Sequence, residues 1–132
     1  MKVLLTAVQF SASISGLQRH ALNLVRALLR QPEISGVHLV IAPWQRTVLQ
    51  QTNLDSSDRL AIHIADMHPG AAGRNLWYYL RLPRLAETIQ PDIVHLSYPV
   101  PVRASAFQCP VVLTLHDLYP YEIPRNFGFS KV

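Results

Sequence analysis

The amino-acid sequence predicts one α/β domain built on a parallel sheet, with its working surface in the loops that leave the strands. Three observations predict it. Short, nearly continuous apolar runs recur along the chain, as in strands buried on both faces. Segments with apolar residues at helical spacing alternate with those runs, the order expected of parallel strands joined by crossover helices. The 132 residues are 49% hydrophobic and 15% charged, enough for one core and too few for two.

Lys2 to Val8 (KVLLTAV) is the first strand, and Gln9 to Ser15 turns the chain. Ser15 followed three residues later by Gln18 matches a capping box, and Leu17, Ala21, Leu24 and Leu28 recur at helical spacing, leaving Gln18, Arg26 and Arg30 polar. A helix from Gly16 to Arg30 follows from this, stopped by Pro32. Val37 to Ala42 and Leu60 to Ala65 are the second and third strands, with a short helix expected between Trp44 and Asn53. Gly70 to Gly73 reads as a loop. Asn75 to Leu82 and Arg84 to Gln90 read as two helical pieces, because Pro83 lacks an N–H and crowds the preceding turn. Ile93 to Leu96 and Val111 to Leu115 complete five strands.

Composition narrows the function without choosing it. Twelve Lys plus Arg against eight Asp plus Glu leave a formal charge of +4, and ten of the twelve cations are arginine. Such a surface suits phosphates or acidic headgroups and equally serves solubility. Cys109 is the only cysteine, so no intrachain disulfide forms, in keeping with a reducing compartment, with cytoplasm as the default. The opening apolar run is too short for a signal peptide, and no segment is long enough to cross a membrane.

Several activities lack their motifs. The first turn carries one glycine where a dinucleotide fingerprint needs G-x-G-x-x-G, and the second strand ends in Ala42-Pro43-Trp44 rather than in an acid. No P-loop and no G-x-S-x-G elbow is present. His63, Asp66 and His68 are ligand types, but His63 lies within a strand and the others follow it, so a metal site is not expected. Nucleic acid is not expected either, since no stacking platform or recognition helix accompanies the arginines.

Open parallel sheets bind ligands beyond the carboxyl ends of their strands, which selects Gln9 to Ser15, Ser97 to Pro101, and His116 onward. Gly16 opens the first helix, where free backbone N–H groups and the helix dipole can receive an anion; it could equally be a plain cap. His116 stands directly after the fifth strand and could donate a hydrogen bond to a sugar hydroxyl or phosphate, with Asp117 orienting it or capping the next turn. Trp77, Tyr78 and Tyr79 with Arg74, Arg81 and Arg84 form a basic aromatic stretch, readable as core packing with solvated arginines or as a surface for a membrane or lipid-linked acceptor.

The segments SGLQRHALNLVRALL (15 to 29), LWYYLRLPRLAETIQPDIVHLSYPVPV (76 to 102) and PVVLTLHDLYPYEIPRNF (110 to 127) together resemble the amino-terminal domain of glycosyltransferase family 4. The resemblance covers nearly the whole chain and is weakest from Trp44 to Asp66. It implies half of a GT-B architecture, in which two Rossmann-like domains face across a cleft and a sugar passes from a nucleotide donor to an acceptor with retention and without a metal. Nucleotide-sugar is then a co-substrate, and no cofactor is implied. By position, His116 resembles the histidine that contacts the transferred sugar, and Gly16 resembles the glycine of the loop near donor phosphates and acceptor. Ser15, Arg19, Tyr98 and Asp117 are neighbouring candidates. Ser15-Gly16 stands where many relatives have paired glycines, which alters the close approach at this point.

The resemblance also implies a second, donor-binding domain that residues 1–132 do not contain, so the chain is expected to be a fragment or to meet that domain in trans. The expected partners are a nucleotide-sugar donor, a carbohydrate or lipid-linked acceptor and that second domain, in a cytoplasmic protein with peripheral membrane contact. An alternative is a non-catalytic module that binds a partner subunit or a membrane-bound acceptor through Trp77 to Arg84.

Overall fold

Five parallel strands form one sheet in the order β3-β2-β1-β4-β5, with β1 at Lys2–Thr6, β2 at Gly36–Ile41, β3 at Leu60–Ile64, β4 at Ile93–Leu96 and β5 at Val111–Leu113. The computed structural model describes residues 1–54 and 57–116. Helix α1 (Gly16–Leu29) is followed by α2 (Arg46–Gln50), α3 (Ala71–Leu76) and α4 (Leu82–Ile89).

Registration of β1 against both neighbours separates two cores. Leu4, Val40, Val94 and Leu96 pack on one face beneath Trp77, Tyr78, Leu82, Ala86 and Ile89. Val3, Leu5, Val37, Leu39 and Ile41 pack on the other beneath Ala21, Leu22 and Val25 of α1. Both faces of the central strands are therefore dry, which explains why their sequences are apolar runs rather than alternations. This is the expected α/β, Rossmann-like arrangement with helices on both faces.

The first apolar run outlasts its strand. Ala7 and Val8 leave the ladder but stay buried, and the Ala7 N–H still reaches the Val40 carbonyl at 2.8 Å. The fifth run ends as a strand at Leu113, after which Thr114 bonds Leu96 at 2.9 Å. Between β2 and α2, a single 3-10 turn (Pro43–Gln45) carries Gln45 into the interior. Its amide accepts from the N–H groups of Gln9 and Ala42 and donates to Ala7, tying the ends of β1 and β2 together.

Three expectations are corrected. The capping box is half made: Ser15 Oγ accepts from Gln18 N–H at 3.2 Å, but the Gln18 side chain is fully buried, with neither amide atom bonded among the described residues. Gln18 therefore belongs to the buried face of α1. Pro83 does not break its helix, and Ala71–Gly73 is helical rather than loop. The chain runs from α3 to α4 through a π-helical turn at Trp77–Arg81, where the Leu82 N–H reaches back five residues to Trp77. Widening the turn ahead of proline absorbs its missing donor without ending the helix.

Candidate functional site

Three loops meet at the carboxyl edge of the sheet, held by side chains from the segment after β4. Ser97 Oγ donates to the Thr6 carbonyl at 2.5 Å, and the Tyr98 hydroxyl donates to the Val8 carbonyl. The Ser97 carbonyl in turn accepts from His116 Nε2 at 2.8 Å. The loops after β1, β4 and β5 are thus cross-linked where such sheets take their ligands.

The helix that starts there offers a bare amino terminus. Ser15 caps α1 through Gln18 N–H, and the first turn contains no acidic residue to offset the positive end of the dipole. A Cβ placed on Gly16 would have no atom within 4 Å, and no positive φ demands glycine at that position. Among the described residues the fold does not need glycine here, and the space in front of it is open. Arg19 is exposed one turn along the same helix.

His116 is exposed, and its hydrogen bond orients its ring: a carbonyl only accepts, so Nε2 carries a proton and donates it to Ser97. His20 meets it edge to face, with ring centroids 4.9 Å apart and planes at 88°. His95 of β4 lies near His20 and bonds Thr114 Oγ1 at 2.7 Å. Burial, and secondarily the charge of His20, lower the His95 pKa, so that ring is neutral near pH 7. Sequence reasoning selected His116 and missed His20, although His20 stands four residues after Gly16 and so on the same helix face.

The β1 loop also carries Phe10, 58% exposed, with the Arg74 guanidinium 3.9 Å above its ring centroid and 5.7 Å from that of Tyr98. Arg74 therefore bridges α3 to two of the three loops. Behind this rim, Thr6 Oγ1, Gln9 Nε2 and the Tyr78 hydroxyl are buried without a hydrogen-bond partner among the described residues. Burial holds the Tyr78 phenol well above its ordinary pKa and raises that of Tyr98, so both remain neutral hydroxyls.

The structure brings together Ser15, Gly16, Tyr98 and His116 from the expected set, with Arg19 beside them; Asp117 lies outside the described residues. His63 bonds His38 across the β2–β3 pair. Trp77 and Tyr78 are core residues, as the core-packing reading of that stretch expects. The edge combines donors (helix N–H groups and guanidinium) with an imidazole whose Nε2 proton is already given to Ser97, a set suited to a ligand bearing hydroxyls and anionic oxygens.

The family model described as Glycosyltransferase Family 4 matches residues 14–131. No curated protein and no solved structure matches the chain.

Proposed function

The chain belongs to glycosyltransferase family 4, and we propose that it forms the acceptor side of a site that transfers a sugar from a nucleotide-sugar donor. The observation that carries this reading is the joining of an open helix amino terminus at Gly16 to an exposed imidazole at His116 by one hydrogen-bonded set of loops.

In this reading the Gly16 amino terminus receives anionic oxygen, and His116 meets a hydroxyl of the transferred sugar through Nδ1. The Nε2 bond to Ser97 keeps that orientation. Transfer forms a bond from the anomeric carbon to an acceptor oxygen and breaks the bond to the nucleotide diphosphate, which departs with the electron pair. The acceptor hydroxyl gives its proton in the same exchange to the oxygen of the departing diphosphate. Stabilising the departing diphosphate requires cations from a second domain, in cis or in trans. Retention of configuration and independence from metal belong to the same reading.

The test is sugar transfer by the native product together with its second domain, across a panel of nucleotide sugars with and without a chelator. His116→Ala is expected to lower kcat by roughly 100-fold or more while the protein stays folded, the scale on which a positioned hydrogen-bonding group acts. Unchanged transfer in that variant would remove His116 from the site.

A further inference from the structure

The π-helical turn sorts its neighbours in an unusual way. Trp77 and Tyr78 both enter the core, while Leu76, Tyr79 and Leu80 stand 60%, 46% and 47% exposed on the outside of the same helix. All three are exposed to solvent where Trp77 and Tyr78 are buried. Arg81 and Arg84 are exposed beside them, and Arg103 joins from the β4–β5 connection with its guanidinium 6.0 Å from the Tyr79 ring centroid. A groove of about 420 Å³ runs between Tyr79, Leu80, Arg84 and Arg103, with Glu87 as the one acid on its wall among the described residues.

We propose that this face docks on an anionic lipid surface. Large apolar side chains ringed by arginine, with a tyrosine that has an apolar body and a polar tip, match the layered chemistry of a bilayer interface. Charge decides the occupant. A second copy placed here by two-fold symmetry would set Arg81, Arg84 and Arg103 against the same three cations, whereas acidic headgroups neutralise them.

The position adds a consequence. Arg74, two residues before Leu76, contacts Phe10 and Tyr98 at the sheet edge. Docking through Leu76 to Leu80 therefore holds the His116 edge beside the lipid surface, within reach of an acceptor carried on a lipid. That last step rests on the sugar-transfer reading, but the docking does not.

Sedimentation of the chain with vesicles of phosphatidylcholine alone, and with phosphatidylglycerol added, tests it without reading sugar transfer. Binding is expected only with the anionic lipid. Arg84→Ala and Arg103→Ala each weaken it about fivefold, and Leu80→Glu weakens it tenfold or more. Leu76→Ser with Tyr79→Ser provides a second apolar variant, and Arg30→Ala on α1 leaves binding intact. Absence of anionic-vesicle binding, or equal binding by Leu80→Glu with an unchanged melting profile, overturns the proposal. So does a dimer in solution that Leu80→Glu dissociates, which would make the face a protein interface. Failure of vesicle binding leaves the sugar-transfer reading standing, and failure of transfer leaves docking standing.

Discussion

The imidazoles of His38 and His63 meet nitrogen to nitrogen, Nδ1 to Nε2, at 2.8 Å, with their planes only 19° apart. One ring donates and the other accepts, an arrangement that full protonation of both destroys. Burial lowers both pKa values, and for His38 the neighbouring His63 and Lys2 lower it further.

Stability is therefore expected to fall on acidification. Between the ordinary imidazole value of about 6.5 and the lowered folded values, the unfolded chain binds more protons than the folded one. Stability is fully present above that window and is lost as pH drops through it. Melting temperatures from pH 8 to pH 5 should decline less steeply for a His38→Asn, His63→Asn double variant. His95, also lowered, remains in that variant and leaves a residual slope. Parallel curves for the two proteins would show that the pair does not couple to folding.

Gly16 and Gly73 should respond in opposite ways to alanine. A Cβ at Gly73 would lie 2.3 Å from the His68 carbonyl oxygen, a backbone atom that cannot swing aside, so Gly73→Ala is expected to destabilise by about 1–3 kcal/mol. At Gly16 the same atom meets nothing, so Gly16→Ala should leave the melting temperature within about a degree or two. Its effect belongs to ligand binding: affinity for a nucleotide sugar should drop if an anion packs against the backbone there. Intact affinity would reduce Gly16 to a helix opening.

Two buried glutamines give a third contrast. Gln45 satisfies three backbone groups, and Gln45→Leu leaves two N–H donors and one carbonyl without it, a cost of about 3 kcal/mol or more in denaturant unfolding. The Gln18 side chain is buried with no partner among the described residues, so Gln18→Leu is expected to be neutral or to stabilise by about 1 kcal/mol. A large loss at Gln18 would mean that its amide is engaged by ordered water.

The strands and α1 were legible because their chemistry is local: dry strands must be apolar throughout, and a helix packed on one side repeats at 3.6 residues. Gln18 was misread for the same reason, since its polarity suggests solvent while its position, one turn before Ala21 and Leu22, faces the sheet. Pro83 was read as an interruption because proline removes a donor; that a π turn can re-pair the helix depends on Trp77 and Tyr78 both finding room in the core. Gly16 and His116 could be located from strand ends alone. His20, Phe10 and Arg74 could not, because their roles arise from contacts between segments far apart in sequence.

The bonds from Ser97 to Thr6, Tyr98 to Val8 and His116 to Ser97 have a kinetic meaning as well as a structural one. Loops that must organise around a ligand spend part of its interaction energy on their own lost freedom, and they slow association while they settle. Here that freedom is surrendered during folding, before any ligand arrives. Encounter at this edge is then governed by diffusion and electrostatic attraction, and ligands differing in fit will separate chiefly in how long they stay.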